Sequence, residues 1–154
     1  MKQMIAVLAS GLVLAACGGG SGVESSAPVA SAADAAMGFL RAAADSNVTR
    51  MAELWGTSSG PASQTNQPTD YQRRIVVIQT FLWSDSSRVI GQAAVPGDDN
   101  RRTVTVAIWR GGCMKQLPFS MVRTRGGAWL VQDPRLELAG NPARPCDGEP
   151  PPGT

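Results

Sequence analysis

Histidine is absent from all 154 residues. That removes the commonest acid–base side chain near neutral pH and the commonest metal ligand. No CxxC or HxxxH spacing occurs, so no metal site is expected and no cofactor is implied. Lysine occurs only as Lys2 and Lys115, and no block of basic residues stands out. The arginine pair Arg101-Arg102 reads as part of a solvated turn. With 14 basic against 12 acidic residues, the formal net charge of +2 gives no reason to expect nucleic-acid binding. Tyrosine occurs once, at Tyr71, and acids are scarce in the apolar segments. Few groups are left for acid–base chemistry. The apolar run Met4 to Ala16 has 13 residues, short of the ~20 a helix needs to span a bilayer.

That run nevertheless matches a secretory signal, whose apolar core is roughly 7–15 residues long behind a basic start such as Lys2. Residues 1–16 are read as the signal. Leu14-Ala15-Ala16-Cys17 resembles the bacterial lipoprotein box, in which small residues precede a lipidated cysteine. The resemblance implies that the thiol of Cys17 receives a diacylglycerol. It also implies that the leader is cut just before it and the new amino end is acylated, with palmitate as the expected chain. Two or more acyl chains give stable anchoring where one gives only marginal binding. Residues 17–32 (CGGGSGVESSAPVASA) then form a lipidated foot and a flexible Gly/Ser/Ala tether. By the same analogy, Gly18 rather than an aspartate after the cysteine favours the outer membrane, with the protein facing the periplasm.

With Cys17 assigned to the lipid, Cys113 and Cys146 remain. Two thiols in an exported chain suggest one disulfide, the alternative being two free thiols. The chain beyond the tether is long enough for one domain with its own core.

Ser31 with Asp34 three residues later imitates a capping box. Ala36, Met37, Leu40, Ala43 and Ala44 then share a helical face. After Asp45-Ser46-Asn47 the pattern resumes with Val48, Met51, Leu54 and Trp55, and Gly56 stops it. Residues 57–70 (TSSGPASQTNQPTD) read as a long polar loop. Asp70 offers a cap for a third helix carrying Tyr71, Ile75, Ile78 and Leu82 on one face, although IVVIQTFLW is also strand-like. From Arg88 the period becomes two. Arg88 to Val95 is a strand, 96–100 a turn, and Val104, Val106 and Ile108 alternate along the next strand. Leu117, Phe119 and Met121 mark a third strand, where Pro118 argues for an edge or a bulge. Gly126-Gly127 leads into AWLVQ, which Leu136 and Leu138 are expected to extend. Residues 140–154 form a Pro/Gly-rich tail.

Helices followed by an antiparallel meander define an α+β domain over 33–139, with helices on one sheet face. FLRAAADSNVTRMAELW resembles the opening helix pair of NTF2-like domains, and RTRGGAWLVQD resembles their closing hairpin. The resemblance covers about residues 40–138 and implies a curved sheet forming a cone that the helices close around a pocket. An unrelated α+β sandwich is the alternative. NTF2-like enzymes such as ketosteroid isomerases use an Asp base with Tyr or Asp oxyanion donors inside the cone, where an apolar site keeps the donor carboxyl protonated. No residue here matches such a position, so no catalytic residue is assigned.

Tyr71, Trp109 and Trp129 are the candidate pocket residues, with core bulk as the ordinary role of such rings. Arg110, Arg123 and Arg125 are candidates for an anionic contact. The reading is therefore a membrane-tethered, non-catalytic envelope lipoprotein that binds a small apolar ligand or an envelope protein. The alternative is a small-pocket NTF2-like enzyme of isomerase or hydrolase type.

Overall fold

The computed structural model describes residues 31–147. The leader, Cys17, nearly all of the tether and the tail from 148 onward lie outside the described residues.

The first helix, α1 (Ala32–Ala44), begins where Ser31 accepts the Asp34 backbone N–H at 3.0 Å. The same hydroxyl donates to the Asp34 carboxylate at 2.6 Å. One residue thus satisfies an orphan helix donor and holds an acid at the positive end of the helix. The buried face differs from the expected one. Met37 and Ala44 are only half-buried, and Phe39, which the expected stripe does not include, sits fully buried at its centre. Its ring meets Phe119 edge to face, with centroids 6.3 Å apart.

Asn47 caps α2 (Val48–Leu54) by accepting the Arg50 N–H at 2.9 Å. Trp55 then turns the chain into the two-residue strand β1 (Gly56–Thr57), paired with β2 (Gly60–Pro61) and followed by one turn of helix, α3 (Ala62–Thr65). The 57–70 stretch is thus not a plain loop. Strands of two residues are too short to show a period of two. Gly56 is required there, since a Cβ would lie 2.9 Å from the Pro61 Cα.

The run IVVIQTFLW is helical through Leu82, within α4 (Tyr71–Leu82), with Trp83 just past its end, and it buries Ile75, Ile78 and Leu82. Asp70 stands at the cap position without capping; its carboxylate accepts from Arg74 Nε at 2.8 Å instead.

Four antiparallel strands follow in sequential order: β3 (Ser86–Val95), β4 (Asp98–Arg110), β5 (Cys113–Arg123) and β6 (Trp129–Asp133). The domain is α+β with a curved antiparallel sheet that stays open and is not closed into a barrel. Arg101 and Arg102 lie in β4, not in a turn. Val104, Val106, Ile108, Leu117, Phe119 and Met121 point to the helices and are at most 1 % exposed, as their alternation predicts. Pro118 falls in an interior strand, yet β6 pairs only with Ser120 to Arg123, and a register shift separates Ser120 from Met121. At Pro118, β5 has a partner on one side only, where a missing N–H costs little.

The last strand does not run on through Leu138. Asp133 Oδ1 accepts the Arg135 N–H at 3.0 Å, and Arg135 turns left-handed at φ 48°. A short 3₁₀ helix, η1 (Leu136–Leu138), follows. Cys113 and Cys146 form a disulfide, with Cα atoms 5.4 Å apart, fastening the segment after η1 to the β4–β5 turn.

Candidate functional site

The three candidate pocket residues lie in three places. Trp129 is core, 8 % exposed. Trp109 is half-buried on the sheet face away from the helices, where the Arg88 guanidinium stands 5.1 Å above its ring. Tyr71 lies half-buried at the start of α4.

The candidate anion contacts also separate. Arg125 is exposed, and Arg123 Nε donates to the Gly127 carbonyl in its own turn. Arg110 is buried and serves the fold. It donates to the Phe81 carbonyl at 2.6 Å and, through Nε, to the Trp83 carbonyl at 2.8 Å, which ties off the end of α4. Burial pushes its pKa below the ordinary value while Asp85 pushes back, and a guanidinium remains charged throughout. Arg110→Met removes these charge-assisted bonds and strands two carbonyls. The expected loss is about 1.5–3 kcal/mol in urea unfolding. An unchanged midpoint would mean that water replaces the guanidinium at no cost.

What the fold does gather is a surface around α4. On one side, α4 and α2 with Ser63 enclose a groove of about 370 Å³ containing Val48, Ala52, Tyr71 and Ile75. On the other side, α4 faces the β6–η1 turn across a groove of about 570 Å³ with Trp55, Ile78, Pro134 and Leu136 among its lining residues. Between them stand Val76, 50 % exposed, and Val77, 47 % exposed. Trp83, at the end of the same helix, is 43 % exposed.

The sequence holds a signal for this surface. IVVIQTFLW has more apolar positions than one helix face can bury, which is why it resembles a strand. Three of its apolar residues remain in water: Val76, Val77 and Trp83.

The second groove is lined by charges of both signs. Arg73 and Arg74 come from α4, and Asp133 and Glu137 from the opposite wall. Arg135 holds the Glu137 carboxyl below its usual pKa by a side-chain hydrogen bond, so Glu137 is ionised at neutral pH. Lys115 stays half-buried with its stem beside Gly140, away from both grooves. Among the described residues, no group of three or more His, Cys, Asp or Glu gathers as metal ligands, and no helix is long and apolar enough to cross a membrane.

No protein-family model, curated protein or solved structure matches the chain.

Proposed function

We propose that this is a membrane-tethered, non-catalytic lipoprotein of the cell envelope, anchored through Cys17, whose NTF2-like domain binds another envelope protein through the exposed face of α4. The observation that carries the reading is the half-exposed pair Val76 and Val77 between two grooves. Valine in an exposed helix gives up to ~0.7 kcal/mol of propensity relative to alanine. It also leaves apolar area in water, and a partner over α4 offsets both costs.

A partner outside the domain is favoured over a ligand inside it. Phe39, Leu40, Met51 and Phe119 occupy the space between helices and sheet, all fully buried. Binding is favoured over isomerase or hydrolase chemistry by the absence of histidine and by a single tyrosine that opens onto a surface groove. The LAAC sequence supports the anchor. The same reading puts the domain beside the bilayer, on the periplasmic side of the outer membrane.

Two measurements test this. Mass spectrometry of membrane-extracted protein should find Cys17 acylated and amino-terminal, and Cys17→Ser should abolish membrane partitioning. A photo-crosslinker at position 77 in living cells should give one adduct of defined mass, lost on Val76→Glu and absent from the same probe at Gln92. An uncut leader with a free Cys17 thiol defeats the anchor, and no adduct from position 77 defeats the α4 interface.

A further inference from the structure

We infer that the groove between α4 and the β6–η1 turn takes a peptide segment of the partner carrying both an acidic and a basic group around an apolar centre. This deepens the α4 reading and rests on it. The apolar centre answers Trp55, Val77, Ile78, Pro134 and Leu136. Trp55 donates its only polar hydrogen to the Gln132 carbonyl at 3.1 Å, so the ring has no free hydrogen-bond donor to offer the groove.

The two walls supply the charges. On α4, Arg74 is engaged by Asp70 at 2.8 Å. The Arg73 guanidinium lines the same groove and has no ion pair or hydrogen bond among the described residues. Opposite, Asp133 accepts the Arg135 N–H through Oδ1, and no described group bonds its second oxygen. Arg73 and Asp133 share the groove without pairing with each other.

A cation and an under-used carboxylate that line one groove, one from each wall, are satisfied together by a ligand that bridges them. A peptide does this with an acidic side chain on Arg73 and a basic side chain or backbone N–H on Asp133. The volume of about 570 Å³ falls within the ~300–1,000 Å³ typical of sites that enclose a small ligand or anchor side chains. An anionic lipid surface fits less well, because Asp70, Asp133 and Glu137 line the groove beside the arginines.

The experiment is selection from a phage-displayed random twelve-residue peptide library on the full chain, counter-selected against the Arg73→Glu/Asp133→Lys double variant. Enriched peptides should carry an acid and a base on either side of an apolar residue. Arg73→Glu should weaken them about tenfold or more, and replacing the peptide's acid with lysine should restore binding to that variant. Arg73→Gln, with an unchanged melting temperature, guards against misfolding as the cause. The inference is overturned if no peptide is enriched, or if enriched peptides bind both charge variants as well as the native chain. It is equally overturned if Arg73 instead governs binding to phosphatidylglycerol vesicles. Should position 77 still crosslink in cells while the groove selects nothing, the peptide site fails and the α4 interface stands.

Discussion

Phe39→Ala is expected to lower the stability of the domain by about 3–5 kcal/mol, the range for emptying a large aromatic site in a core. Phe39 has no exposed surface, lies at the centre of the α1 face and touches Phe119 edge to face. Deleting the ring removes its transfer free energy and leaves a void beneath α1. Domains of this size have total stabilities of about 5–15 kcal/mol, so the variant should unfold at a much lower urea concentration and accumulate poorly in cells. A double-mutant cycle with Phe119→Leu should return a further coupling of about 0.5–1.5 kcal/mol for the ring pair. The result also bears on function. A loss below about 1 kcal/mol would mean that the space between α1 and the sheet is loosely filled. An internal apolar ligand would then regain its standing against a partner on α4.

The same ring marks a limit of what the sequence discloses. Periodicity places α1, α2 and α4 and the alternating strands, because each buries one face and the spacing of apolar residues records which. It does not say how far a helix is rolled. α1 carries alanines on every side of its axis, so several registers offer a similar apolar stripe, and contact with the sheet selects the one that buries Phe39 rather than Met37. Local chemistry overrides pattern at two other places. Asp70 binds Arg74 in place of a backbone N–H, and Asp133 closes a turn that ends β6 before Leu136. Both contacts depend on which acceptor a carboxylate meets, which composition cannot reveal.

Of the candidate site, the cysteine pair is legible because setting Cys17 aside leaves two thiols with one simple pairing, which the structure forms. The tryptophans and Tyr71 are not legible as a set. Their positions come from strand pairing and helix packing, and they lie on different faces. Arg110 escapes sequence reasoning for a related reason: a strand-end arginine reads as solvated until the end of α4 is laid across it. The α4 surface is visible only as an ambiguity. An apolar run too rich for one buried helix face and interrupted by polar Gln79 and Thr80 fits neither a buried strand nor an ordinary surface helix.

Removing the disulfide, through Cys113→Ala with Cys146→Ala, should cost about 3–4 kcal/mol on the loop-entropy estimate for cysteines 33 residues apart. The bond closes a loop containing β5, β6 and η1, so its loss enlarges the unfolded ensemble of that half of the domain. The effect on the native side should be local. Ala139 is buried, Leu136 packs on the core, and the chain beyond them returns to the β4–β5 turn through Pro145, beside Gly111. Without the bond, η1 keeps the packing of Leu136 and Ala139, the exposed Arg135–Glu137 pair, and the Leu138 N–H to Arg135 and Ala139 N–H to Leu136 bonds, both 3.0 Å. Hydrogen exchange at Leu138 and Ala139 should therefore accelerate well before exchange at Phe39 in α1. Because Leu136 and Glu137 form part of the groove facing α4, loosening η1 should also weaken peptide binding there while leaving Val76, which lines the other groove, unaffected. If reduction leaves both the melting temperature and the η1 amides unchanged, packing of Leu136 and Ala139 alone secures that wall, and the groove does not depend on the disulfide.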